Sequence, residues 1–217
     1  MDQRIQITGI QYICNRTQFE IDVQAGVVDS LYKAFFDEMF LNTTTAPQLA
    51  QKLVLLVLGY IPYSKKHGYD GVTPPPRSQE VEEKMCMRMT QLTGKPPTGM
   101  TSTTINDPSQ QIFDKYDVDK PLFVFPYFID GHLIAIFSVE WNNLRQLYVD
   151  GLKQIANKIH SGKTSRSFSI SFTSWNGSST LAWYHHDVTI HKLLPKSILK
   201  GVNDAIKSGR IAQGVTQ

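Results

Sequence analysis

The sequence predicts an α+β domain, because strand-like runs cluster in the middle of the chain and helical periodicity is kept to either side. Residues 122–128 form an almost unbroken apolar and aromatic run, Asp130-Gly131 is a turn pair, and His132 opens a second run over 133–139. Aromatic and β-branched residues of this kind suit strands. By contrast, Val23, Val27, Val28, Leu31, Phe35 and Phe36 recur at helical spacing as far as Phe40. With 217 residues, 41% hydrophobic and 19% charged, the chain can build one sizeable core and is too apolar to stay disordered. A single domain over 1–217 is expected, with a helical N-terminal part over 1–110, a sheet and cleft over 111–195, and a basic C-terminal helix over 196–217.

Taken in order, residues 3–14 alternate loosely and suggest a first strand, and 22–40 a core-facing helix. Thr43, Thr44 and Thr45 supply capping oxygens and Pro47 fits a first turn, so 49–60 reads as a second, buried helix closed by Gly59 and Pro62. Residues 61–80, with Gly68, Gly71 and Pro74-Pro75-Pro76, read as a loop. Val81, Met85, Met89 and Leu92 would share one side of a helix over 80–92, with the methionines filling gaps in a core. Residues 93–110 read as a long loop beside a functional cleft, or as a poorly ordered one. After the central pair, 144–149 reads as a third strand stopped by Asp150-Gly151, and 151–159 as a helix. Phe168, Ile170 and Phe172 alternate with serines as a strand with one wet face. Residues 175–179 read as a turn and cap, 180–194 as a buried helix ended by Pro195, and 196–211 as a basic helix.

A net charge of +3 is mild, and Cys14 and Cys86 are too few for a disulfide framework, which points to a reducing compartment or to indifference to redox setting; a cytoplasmic location is expected. No apolar stretch reaches the length of a membrane span. Gly94-Lys95 and Gly162-Lys163-Thr164 lack the remaining parts of a phosphate loop. His185, His186 and His191 have the wrong spacing to ligate one metal from one helix, so no metal and no cofactor is expected.

The chemistry-bearing pattern is a histidine at one strand's start, an acid at the next strand's end, and an Asn-Gly turn before a buried helix. A cysteine peptidase needs a base, an acid that orients it, and a nucleophile at a helix N-terminus, where the dipole favours a thiolate. His132 and Asp150 lie on two runs that antiparallel pairing could bring together.

On these residues the chain resembles the cysteine peptidases that process ubiquitin-like modifiers, with the adenovirus-type endopeptidases and related bacterial effectors. LFVFPYFIDGHLIAIFSV, LYVDGL and SWNGSSTLAWY stand where that family has its base strand, its acid and its nucleophile helix. The resemblance implies a papain-like mixed sheet flanked by helices, with His132 as base, Asp150 as acid and Ser174 at the oxyanion position. Thr180 takes the nucleophile position, or Ser179 with a shift of one, and Leu133, Trp175, Asn176 and Gly177 line the cleft. Leu133 and Leu181 replace the family's tryptophan and glycine, and neither cysteine follows the histidine and acid. A threonine hydroxyl is far harder to deprotonate than a thiol. The resemblance therefore implies a pseudo-peptidase that binds a peptide or ubiquitin-like partner in the cytoplasm, including that of an infected cell. Two other readings stay open: an accessory protein that binds nucleic acid or self-assembles through Lys196, Lys200, Lys207 and Arg210, and a hydrolase that uses Thr180 or Ser179.

Overall fold

The structure, a computed structural model, describes residues 21–22, 24–26, 47–64, 68–88, 101–129, 132–162, 164, 166–187 and 189–212. The strand expected over 3–14, most of the helix over 22–40, the Asp130-Gly131 turn and part of the 93–110 loop lie outside them.

A mixed sheet forms the centre of the α+β fold. Its middle strand, β6 (Leu122–Ile129), is buried along its whole length, as its near-continuous apolar sequence requires of a strand covered on both faces. It pairs antiparallel with β7 (His132–Glu140), which pairs antiparallel with β9 (Thr180–Tyr184). On its other side β6 runs parallel to two short strands in succession, β3 (Glu80–Glu83) and β4 (Cys86–Arg88). β2 (Gly71–Val72) and β1 (Ile61–Pro62) extend the sheet beyond β3. Glu83 pairs with Val124 and Cys86 with Tyr127, so the edge ladder is interrupted beside Pro126. Proline has no N–H to offer a ladder, and the interruption leaves Lys84 and Met85 outside either strand.

Each face of the sheet has its own core. On one face Ala50, Leu53, Val54 and Leu55 of α1 (Pro47–Val57) pack against Val81, Val124, Leu133 and Ile136. On the other, Phe123, Phe125, Tyr127 and Phe137 meet α2 (Gln110–Asp119), α3 (Trp141–His160), the one-turn α4 (Phe172–Trp175) and α5 (Lys196–Lys207). A separate ribbon, β5 (Ser102–Asn106) paired antiparallel with β8 (Ser167–Ser171), covers part of this second face. Trp175 is stacked on Phe125 with ring centroids 4.4 Å apart.

Several expected elements differ. Residues 80–92 were expected to be helical, but 80–83 and 86–88 are strands, because Val81 and Glu83 alternate inward at a period of two. The 61–80 and 93–110 loops contain β1, β2 and β5, so the part expected to be helical, 1–110, carries strands from residue 61 onward. The strand expected at 144–149 is the middle of α3. Trp141, Leu144, Tyr148 and Gly151 are its buried stripe, at the three- and four-residue steps of a helix. Gly151, which looks like a stop signal, is a packing residue: a Cβ there would stand 2.3 Å from the Phe168 ring. The helix expected over 180–194 is β9 followed by a 3-10 turn, Ile190–Leu193. A short apolar run bears no mark that separates a buried strand from a buried helix. The helix at 49–60 and the basic helix at 196–211 are present as α1 and α5.

Candidate active site

The residues picked out by the peptidase resemblance do not converge. His132 and Thr180 lie toward opposite ends of β7, since Thr180 pairs with Ser138; six residues of strand separate those levels by roughly 20 Å. Asp150 is exposed on α3, where its Oδ1 accepts from Gln146 Nε2 at 3.0 Å. Thr180 opens a strand rather than a helix, so it does not stand at the head of a helix of its own. Ser179 is buried, and its Oγ donates to Asn176 O at 2.8 Å. Ser174 Oγ donates to Ser171 O at 2.6 Å, and Asn176 and Gly177 lie in a 3-10 turn. Arg210 closes that turn by donating from Nη1 to Asn176 O and Ser179 O. Leu133 belongs to the core on one face of the sheet and Trp175 to the core on the other, so the two cannot line one cleft.

The histidine cluster is internally bonded. His185 Nδ1 accepts the Asp187 N–H at 3.0 Å, and His191 Nε2 lies 2.7 Å from His185 O. His185 and His186 are stacked at 4.6 Å. Burial, then the neighbouring His186, pushes the His185 imidazole down from its usual range.

A different constellation stands at the interrupted edge of the sheet. Asp70 immediately precedes β2, where its N–H donates to Val81 O at 2.9 Å. Its Oδ2 accepts the Glu83 N–H at 2.6 Å. Glu82 and Lys84 are two residues apart, which on extended chain puts both side chains on one face, and Lys84 Nζ lies 2.6 Å from Glu82 Oε1. The Lys84 N–H is anchored to Val124 O at 2.8 Å.

The electrostatics of this corner are unlike those of an ordinary solvated one. Burial, and after it the charge of Glu82, push the Asp70 carboxyl up to about 6, against the downward pull of the Glu83 N–H and of Lys84. Glu83, on the opposite face of β3 and 2% exposed, finds no hydrogen-bond partner for either carboxyl oxygen. Burial drives its carboxyl well above the ordinary range, and Asp70 and Glu82 push it the same way. Like charges on neighbouring strands oppose pairing. Here three carboxyl groups raise one another's proton affinity against a single lysine, an arrangement that costs stability.

Among the described residues, no group of three His, Cys, Asp or Glu side chains is arranged to cage a metal ion. A hard divalent ion of the magnesium type does not require one, since it is held by one or two carboxylates with water and substrate phosphates completing the shell. Asp70 and Glu82 fit that donor set.

Reading 61–80 as a loop and 80–92 as a helix hid this site. The sequence signal was Glu82-x-Lys84 next to the inward Val81, ten residues beyond Asp70-Gly71, a turn pair that here leads into a strand. Compared with known families and curated proteins, the chain matches no family model and no curated sequence.

Proposed function

We propose that the protein is a divalent-cation-dependent hydrolase of phosphodiesters, with nucleic acid as its substrate class. The observation that carries this reading is that β2–β3 pairing brings Asp70, bonded to the Glu83 N–H at 2.6 Å, within electrostatic reach of Glu82, with the Lys84 ammonium 2.6 Å from Glu82. Asp70 and Glu82 would hold the cation, which when bound polarises a phosphate oxygen and acidifies a water molecule. A cation held by only two carboxylates favours a substrate that brings its own anionic oxygens, as a phosphodiester does. Lys84, a compact positive charge whose ammonium is held 2.6 Å from Glu82 Oε1, would offset the charge that builds up on the phosphorus oxygens. Water oxygen attacks phosphorus, the ester P–O bond breaks, the leaving oxygen takes up a proton, and the water proton passes to solvent. The chain's net charge of +3 suits a polyanionic substrate.

The test is incubation of plasmid and linear duplex DNA with the protein and Mg2+ or Mn2+, alongside Mn2+ titration calorimetry. Chelator-sensitive cleavage, lost together with Mn2+ binding in Asp70→Asn and Glu82→Gln, is expected. Equal Mn2+ binding by the wild type and the double variant would overturn the reading.

A further inference from the structure

We propose that the β5–β8 ribbon is a sequence-reading surface that enters the major groove of double-stranded DNA. The inference rests on the hydrolytic reading above for its substrate class and names the form of that substrate.

The register Ser102↔Ser171, Thr104↔Ser169 and Asn106↔Ser167 puts these six side chains on one face of the ribbon. The alternate residues Thr103, Ile105, Phe168 and Ile170 are buried on the other. The outer face is exposed except at Ser167, which is half-buried. It carries no charged and no apolar residue. Solvated edge strands ordinarily protect themselves with lysine, glutamate or proline, and both strands of this ribbon are edges. A row of hydroxyls and one amide instead offers donors and acceptors together. Base edges in the major groove present that chemistry: serine and threonine hydrogen-bond to any of them, the threonine methyl meets the thymine methyl, and asparagine pairs bidentately with adenine.

Dimensions agree. The major groove, about 12 Å wide, admits a two-stranded ribbon, and five residues of strand span roughly 17 Å, about five base-pair steps. Arg166, exposed immediately before β8, is placed to contact a phosphate beside the ribbon. Exposed Asp107 at the other strand's end is a type that accepts from cytosine N4, and its N–H is tied to Arg166 O at 2.7 Å. The ribbon is built onto the site's own face of the sheet. Cys86, two residues beyond Lys84, has its Sγ 3.5 Å from Thr103 Oγ1, and Tyr148, whose phenol feels the Glu82 charge, packs on Phe168 at 5.3 Å. An A-form RNA duplex closes its major groove to side chains, so the ribbon selects DNA.

The experiment uses the full chain carrying Asp70→Asn, so that binding is read without cleavage, and selects from a randomised duplex DNA library without divalent cation. Enrichment of a motif of about four to six base pairs is expected. Asn106→Ala and Thr104→Val should each relax one position of the motif by about tenfold. Binding to unselected duplex and the melting temperature should stay as in the parent. Substituting 7-deazapurines in the motif should abolish the preference. An unchanged motif in both variants and in Ser169→Ala overturns the inference, as does absence of any motif or a preference for single-stranded RNA. Specific binding by a protein whose wild type never cleaves removes the hydrolytic reading and leaves the ribbon reading; cleavage without sequence preference does the reverse.

Discussion

The two sides of the central sheet are built on opposite principles. On the β7–β9 side the chain spends its polar groups on holding itself together: Ser179 and Arg210 bond to the Asn176 turn, and the Arg210–Ala212 backbone pairs with Leu181. Trp175, 1% exposed, fills the layer beneath. On the β2–β3 side, Asp70, Glu82 and Glu83 are crowded in partial or complete burial with one lysine. One side is arranged for stability and the other stores electrostatic repulsion. Repulsion of that kind is the better guide to chemistry, because packing explains a satisfied group and leaves a strained one unexplained.

The sharpest way to break the contrast is to exchange its terms. Trp175→Ala should cost about 3–5 kcal/mol in urea denaturation, while any hydrolysis by the surviving folded fraction keeps its cation dependence. Asp70→Asn or Glu82→Gln should lower cation-dependent cleavage by at least about 100-fold, since even the outer partners of metal ligands are worth 10–100-fold. The melting temperature of Asp70→Asn without cation should hold or rise, because a like charge has gone.

The pH dependence of stability separates the two sides next. Asp70 releases its proton near 3.8 when unfolded and at about 6 when folded. Between those values the native state binds more protons, so stability falls by about 2–3 kcal/mol as pH rises through that window. Glu83, whose carboxyl is also pushed up by burial, acts in the same direction. Mn2+ favours the ionised carboxylates, so its stabilising effect should appear as pH rises past about 6. Thermal melts from pH 4.5 to 7.5, with and without Mn2+, check both slopes, and Asp70→Asn should flatten them. The smallest effect belongs to the residues first singled out: Asp150→Asn, on an exposed helix face, should shift stability by no more than about 0.5 kcal/mol and leave cleavage unchanged.

Much of the scaffold was legible in the chain. The 122–139 pair, α1, the end of α3, the alternating serines of β8 and the basic last helix all follow from periodicity. The misread elements share one cause. Residues 144–149 and 180–184 are short apolar stretches whose period depends on what covers them. The polar β5 strand and the two-residue β1 and β2 bear almost no hydrophobic pattern. The site was missed with them, because Asp70, Glu82 and Lys84 become neighbours only once β2 and β3 pair and Pro126 interrupts the ladder.

By itself the sequence determined that this is an α+β chain with an apolar central hairpin and helices to either side, because burial leaves a periodic record in residue type. Only the tertiary structure decided which ionisable groups meet. It separated His132, Asp150 and Thr180, and it gathered two acids and a lysine at a gap in the sheet edge. The physical reason is range: a hydrophobic period is written within a few residues, whereas proximity of charges depends on strand pairing, and pairing is settled by the whole core at once.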